Sequence, residues 1–242
     1  MPGPRASGCS PRGRLSPSVA QWRAVSVFQS LRDALRPADS RAIRMPGALR
    51  SPSSATPVLL RPLTIDDADE WNDLRWDNDD WLRPWESGDP THGPLLTFNA
   101  WLQRQRRSQA EGTGALFVIE HQSRIVGQVS LGAIDYGSMR TGVVGYWVDH
   151  AHAGRGFAPM AVALLADWAF ADPTGPNLHR LEIALLPDNE RSRRVAEKVG
   201  AHHEGLRPRY MYVNGQWRDH DTYCLLAEDI GEGFAARLAQ GR

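Results

Sequence analysis

The chain has 242 residues, with 28 basic and 28 acidic side chains, eight histidines and two cysteines. Residues 1–50 carry nine Arg and two Asp, net +7, and leave 19 basic against 26 acidic residues, net −7, for the remainder. The acidic body argues against general nucleic-acid binding and suits a cationic substrate, while the length fits one domain plus an extension.

Cys9 lies in the arginine-rich N-terminal segment and Cys224 far from it, so no structural disulfide is expected. His150-x-His152 and His202-His203 lack a third ligand nearby and read as surface histidines, so no metal is expected. No apolar run approaches the ~18 residues of a membrane span, and no continuous apolar signal core is present. The expected location is cytoplasmic, with no membrane and no direct nucleic-acid contact.

Residues 1–55 are rich in Pro, Ser, Gly and Arg and read as a disordered basic extension. Within them Val19, Trp22, Val27, Phe28, Leu31 and Leu35 share one helix face, a small amphipathic helix for the body or a membrane surface. The preferred alternative is an over-extended translation start, with the true start at Met45. A single domain follows over residues 56–232, with a C-terminal tail at 233–242.

Val58 to Leu63 is the first strand, and Thr64-Ile65-Asp66-Asp67 caps a helix through Trp71 and Leu74. Trp76 to Glu86 is a tryptophan-rich loop or short helix, and Leu95 to Gln109 a second helix. Strands are expected over Ala115–Glu120, Ile125–Ile134 and Thr141–Val148, the first two joined by a turn at Gln122-Ser123. Pro159 to Phe170 is an apolar helix, Arg180 to Leu186 a strand, and Asn189 to Val199 a helix ended by Gly200. Tyr210–Val213 and Thr222–Ala227 pair around Asn214-Gly215. Antiparallel strands followed by β-α-β-α-β give an α/β (α+β) domain, a mixed and mostly antiparallel sheet flanked by helices.

The most informative stretch is Gly145-Tyr146-Trp147-Val148, then His150-Ala151-His152-Ala153-Gly154-Arg155-Gly156-Phe157-Ala158-Pro159. A strand leads through a glycine turn into a long apolar helix, which gathers unpaired N–H groups at a positive helix end and suits a pyrophosphate. Neither the third glycine of a dinucleotide fingerprint nor the Gly-Lys-Ser/Thr of a P-loop is present.

Downstream, Leu178 to Ile183 leads into Pro187-Asp188-Asn189-Glu190-Arg191-Ser192 and Glu197-Lys198-Val199-Gly200. With Leu82-Arg83-Pro84-Trp85-Glu86 and Val213-Asn214-Gly215-Gln216-Trp217-Arg218-Asp219-His220, the chain resembles the GNAT superfamily of acetyl-CoA-dependent N-acetyltransferases. Within it the chain is similar to the RimJ/RimL type of ribosomal-protein N-terminal acetyltransferases, over Val58 to Asp229. The family's Gln/Arg-x-x-Gly-x-Gly/Ala signature falls on Ala153 to Ala158, with Ala153 in place of the leading Gln/Arg.

The resemblance implies a GNAT fold and acetyl-CoA as cosubstrate. It implies that Trp147 and Val148 pair their backbone with the pantetheine arm. The amides of Gly154, Arg155, Gly156, Phe157 and Ala158 then hold the pyrophosphate, and Asn189 bonds the pantetheine or orders its turn. Glu182 is the candidate base; the alternative is an ion pair with Arg180 or another arginine that holds the sheet. Ser192 is the candidate that stabilises or protonates the thiolate, since the position seven after Asn189 is Ala196, not the tyrosine many GNAT enzymes carry. Helix capping is the alternative for Asn189 and Ser192. Tyr210, Tyr212 and Tyr223 are further proton donors or packing groups. Trp81 and Trp85 are expected to wall the acceptor channel, with Glu86 as a contact for the substrate ammonium. The expected acceptor is a protein or peptide N-terminal α-amine of the ribosomal-protein type, and the family's exposed sheet edge implies a homodimer. Two alternatives stand: a small-amine acetyltransferase acting on an aminoglycoside or polyamine, and a non-catalytic acetyl-CoA-binding regulator.

Overall fold

A computed structural model describes residues 42–91 and 96–241. The expected amphipathic helix over residues 19–35, Cys9 and the expected helix start at Leu95 lie outside the described residues. Eight strands form one sheet in the order β1-β2-β3-β4-β5-β6-β8-β7. They are β1 Leu49–Arg50, β2 Leu59–Pro62, β3 Ala115–His121, β4 Arg124–Asp135, β5 Thr141–Val148, β6 Arg180–Leu185, β7 His202–Val213 and β8 Gln216–Leu226. The β5–β6 pair is parallel and every other pair antiparallel, so the sheet is mixed and mostly antiparallel. Helices α1 Ala68–Asp77, α2 Asp79–Leu82, α3 Phe98–Glu111, α4 Phe157–Ala171, α5 Glu190–Lys198 and α6 Phe234–Ala239 flank it.

The sheet is covered on both faces, which is why β3 reads as an unbroken apolar run rather than an alternating one. Successive side chains point to opposite faces. Phe117 and Ile119 therefore join the large core with α4, while Leu116 and Val118 join a smaller one with Leu63, Leu102 and Trp71. Helix α4 lies in the larger core and is apolar nearly all round, as a buried helix must be. The corner before α1 is fixed by charge. Asp67 accepts from the Thr64 N–H at 2.7 Å and pairs with Arg61 at 2.8 Å, and Arg61 also reaches Glu120 at 2.6 Å.

The ordered structure extends past the expected domain ends. Leu49–Arg50 pairs with Leu59–Leu60, inside the segment expected to be disordered, and Ile43 is buried in the core. In the expected tail, α6 seats Phe234 beside Phe170, its ring 6.0 Å away, with the Phe234 and Ala235 N–H groups donating to Asp167 at 2.7 and 3.1 Å. Strands β7 and β8 are longer than the sequence pattern suggests. Register shifts at His203/Gly205 and Arg207/Met211 break the two-residue alternation by which a strand is recognised.

One feature of the sheet creates the site. Strands β5 and β6 pair only through Thr141↔Arg180, Gly142↔Leu181 and Val143↔Glu182, yet β5 runs on to Val148 and β6 to Leu185. The sheet opens there as a V with its apex at Val143 and Glu182.

Candidate active site

The V exposes backbone. Asp149 donates its N–H to the Val126 carbonyl at 2.9 Å, and Gln128 lies opposite Trp147. Bonded and non-bonded pairs alternate along an antiparallel ladder. Trp147 therefore spends its main-chain groups on β4, and Val148 and Tyr146 turn theirs into the V. On this strand the main-chain groups that face the V are those of Tyr146 and Val148, the Val148 carbonyl accepting from the Trp81 indole at 3.1 Å, while those of Trp147 face β4.

At the wide end of the V, β5 passes into a 3-10 turn over His150–His152, held by Asp149. The carboxylate accepts from the Ala151 N–H at 3.3 Å and binds His152 Nδ1 at 2.7 Å. The chain then reaches α4 through Gly154 and Gly156, with φ of +77° and +87°. Only glycine adopts such angles without strain, and the two turns aim successive amides outward. Among the described residues the N–H groups of Gly154, Arg155, Gly156, Phe157 and Ala158 find no acceptor. Pro159 follows, where a missing N–H costs nothing. Five free amides at the N-terminus of a 15-residue helix form an anion cradle. Ala153 contributes no charge to it; exposed Arg155 lies at its edge, 5.4 Å from the Phe157 ring.

Across the V stands α5. Asn189 caps it by accepting the Ser192 N–H at 3.1 Å, so its side-chain oxygen is engaged in the capping role. Tyr146 donates its hydroxyl to the Ser192 carbonyl at 3.3 Å and ties β5 to α5 beside Ser192. Burial pushes the Tyr146 phenol well above its ordinary pKa.

At the apex, Glu182 is 7% exposed and both its oxygens are engaged. Oε1 accepts from the Tyr210 hydroxyl at 2.6 Å, and Oε2 pairs with Arg207 at 2.7 Å. The arginine partner is Arg207, whereas Arg180 pairs with Glu204. Leu181 and Ile183 face the large core, so Glu182 faces the opposite side of the sheet, that of α1.

The tryptophans divide. Trp81 lies at the cradle end of the V, where its indole N–H donates to the Val148 carbonyl at 3.1 Å. Its ring is 4.4 Å from His150, and the Arg191 guanidinium lies 4.3 Å from the ring. Buried Asn78 makes this placement: its amide nitrogen donates to the Leu74 carbonyl at 2.9 Å and its oxygen accepts the His150 N–H at 2.8 Å. Trp85 and Glu86 sit beside the β7–β8 hairpin. Asn214 donates to the Pro84 carbonyl at 3.1 Å and the Gly88 N–H to the Tyr212 carbonyl at 2.9 Å. Glu86 pairs with Arg75 at 2.9 Å. Asn78 and Arg207 have no signature in the sequence, because His150 and Glu182 are remote from them in the chain, and Tyr210, expected as a proton donor or packing group, meets its partner Glu182 only in the fold. Among the described residues no group of three His, Cys, Asp or Glu could hold a metal.

The arrangement can seat an extended ligand with an anionic end: diphosphate on the amides, a polar arm along Val148 and Tyr146, a reactive tip at Glu182. Residues 58–202 match the acetyltransferase (GNAT) domain family. The chain is 31% identical over 177 residues to the Bacillus subtilis protein named "Probable N-acetyltransferase YjcK", covering 71% of this chain and 95% of that protein. It is 27% identical over 174 residues to the Escherichia coli [ribosomal protein uS5]-alanine N-acetyltransferase, covering 70% and 88%. Among solved structures, Mycobacterium smegmatis RimJ in complex with CoA-disulfide superposes with a TM-score of 0.73 at 32% identity, covering 82% and 95%. The chain belongs to the GNAT acetyltransferase family, with RimJ/RimL-type ribosomal-protein acetyltransferases among its relatives.

Proposed function

We propose that this protein transfers the acetyl group of acetyl-CoA to an amine, and that the acceptor is a protein N-terminal α-amine of the ribosomal-protein type. The observation that carries the reading is the run of five acceptor-free amides from Gly154 to Ala158, at the mouth of a V whose open edge carries the Val148 and Tyr146 main-chain groups. These residues fit a diphosphate and the amide-bearing arm behind it. Acetyl-CoA supplies an activated thioester, and the V holds it with the acetyl end toward Glu182.

Positioning does most of the work in such a reaction, and a proton acceptor adds about 10²–10⁴-fold. An α-amine has a pKa of about 7.7–8.0 and is partly neutral at physiological pH, so a modest base suffices. Glu182 is that base in this reading. Ser192 stands on the thiolate side, at the N-terminal end of α5. A single-amine acceptor is favoured over a polyamine or aminoglycoside because Glu86, the candidate ammonium contact, is already paired with Arg75. The uS5-alanine acetyltransferase among the relatives supports a ribosomal-protein acceptor, a cytoplasmic site of action follows from it, and the homodimer stays part of the proposal.

The test is release of free thiol from acetyl-CoA with peptides bearing N-terminal Ala, Ser or Met, and with spermidine and kanamycin. Turnover on a peptide α-amine, reduced in Glu182→Gln, supports the reading. Turnover on the small amines alone moves the protein to small-molecule acetylation. Binding of CoA with no turnover on any amine leaves a regulator.

A further inference from the structure

Glu182 is poorly placed to meet an amine directly. A base must meet the proton it takes, yet this carboxylate is 7% exposed and its two oxygens are filled by Tyr210 and Arg207. Burial, together with the two partners that flank the carboxylate, bars an incoming amine from direct contact with it.

The fold supplies another route. Tyr210 belongs to edge strand β7, and β8 lies between β7 and β6. Neighbouring strands are ~4.8 Å apart, so a β7 side chain must cross the width of β8 to meet β6, as the long Arg207 side chain does. For Tyr210 the register provides the crossing. Arg207 pairs with His220 and Met211 with Arg218, so Pro208, Arg209 and Tyr210 oppose the single residue Asp219. Arg209 takes φ +50° inside this bulge and donates its N–H to Asp219 at 2.8 Å. Bulges re-aim side chains, and this one throws Tyr210 across β8 onto Glu182. Three contacts fix the phenol there: the 2.6 Å bond to Glu182, the His220 ring at 6.0 Å edge-on, and the Arg207 guanidinium 4.8 Å from the ring. Tyr210 is half-buried, more open than the carboxylate it serves. A phenol oxygen that donates its hydrogen to a carboxylate still has lone pairs to accept one.

Resting on the acetyl-transfer reading, we infer that Tyr210 is the group that meets the acceptor amine and relays its proton to Glu182. As the amine nitrogen bonds to the acetyl carbon, the nitrogen gives a proton to the Tyr210 oxygen, and Tyr210 passes its own hydrogen to Glu182 Oε1. The carbon–sulfur bond breaks with its electron pair leaving on sulfur. The proton stored on Glu182 then returns through Tyr210 to the thiolate, so amine and thioester become amide and thiol with both side chains restored. Burial and the Glu182 carboxylate hold the Tyr210 pKa above its ordinary value, which keeps the phenol protonated between turnovers.

The experiment compares wild type, Tyr210→Phe, Glu182→Gln and the double variant, with peptide acceptors. Calorimetric CoA affinity and thermal unfolding are followed as readouts independent of turnover. The relay requires kcat of Tyr210→Phe to fall by about 10²-fold. The KM values and CoA affinity stay within about twofold, and the double variant is no slower than the slower single one, because the two residues act as a unit. Glu182→Asp, which withdraws the carboxylate while keeping its charge, gives the same kcat loss and stands in if Tyr210→Phe does not fold. Wild-type kcat in Tyr210→Phe with loss in Glu182→Gln overturns the relay and leaves Glu182 as a direct base. A rise in KM without loss of kcat overturns it too, making Tyr210 an acceptor-binding group. A wild type that binds CoA but turns over no amine overturns both the relay and the acetyl-transfer reading.

Discussion

The anion cradle can be tested at two glycines that differ in one physical respect. Gly154 and Gly156 have similar backbone angles, φ +77° and +87°, so replacement by alanine carries the same left-handed penalty of about 1–2 kcal/mol at each. Their surroundings differ. A Cβ on Gly154 meets nothing within 4 Å, whereas one on Gly156 lies 2.9 Å from Thr56 Oγ1. Thr56 must then swing away and give up its 3.4 Å bond to the Arg155 carbonyl, worth about 0.5–1.5 kcal/mol. For a domain of this size 1 kcal/mol moves Tm by about 2–4 °C. Gly154→Ala should therefore lower Tm by about 2–8 °C, and Gly156→Ala by a further ~1–6 °C. Introducing Thr56→Ala into both should erase the difference. Either alanine can shed its strain only by turning amides out of the cradle, so CoA affinity should fall about tenfold, the equivalent of ~1.4 kcal/mol. Scanning calorimetry reads the first effect and isothermal titration the second. Equal Tm values for the two single variants, or a difference that survives loss of Thr56, would refute the steric argument. Unchanged CoA affinity in both would remove the loop from the binding site.

Trp81 occupies the Val148 carbonyl that a bound pantetheine arm needs, so Trp81→Phe should tighten CoA binding by about 2–10-fold, the worth of one N–H···O bond; weaker binding would show that the indole assists the ligand rather than competing with it. Phe234→Ala should cost about 3–5 kcal/mol, because α6 is anchored in the core by this one fully buried ring, and an unchanged melting curve would mean that the C-terminal helix is dispensable. Burial raises the Asp67 pKa, but Arg61 and Thr64 outweigh it and hold the carboxyl below its ordinary value. A folded pKa below the unfolded one stabilises fully above ~3.9, and that contribution is lost as pH falls through the folded value. Wild-type Tm should thus fall more steeply than that of Asp67→Asn on acidification past that point, and parallel curves would contradict the sign.

Much of this protein was written locally. The all-apolar run of α4, the continuous run of β3, the glycines before Phe157 and the Asn189–Ser192 cap are each specified by residues close in sequence, because helix period, strand burial and turn geometry act over a few positions. Those same residues carry the family resemblance, so the fold class and the glycine turn into α4 were legible in the sequence. What only the tertiary structure decided depends on registers between remote strands. The V exists because β5 and β6 stop pairing after Val143 and Glu182, and nothing in either strand announces where a parallel pair will part. The ladder alternation turned the main-chain groups of Val148 and Tyr146, rather than those of Trp147, toward the V. A bulge in the edge strand delivered Tyr210 to Glu182 over an intervening strand: the sequence placed Tyr210 at the start of a strand, but not the bulge before it or the partner across β8. Short-range chemistry fixes what each segment becomes. The meeting of Glu182, Arg207 and Tyr210 is set by sheet order and register, which are properties of the whole chain.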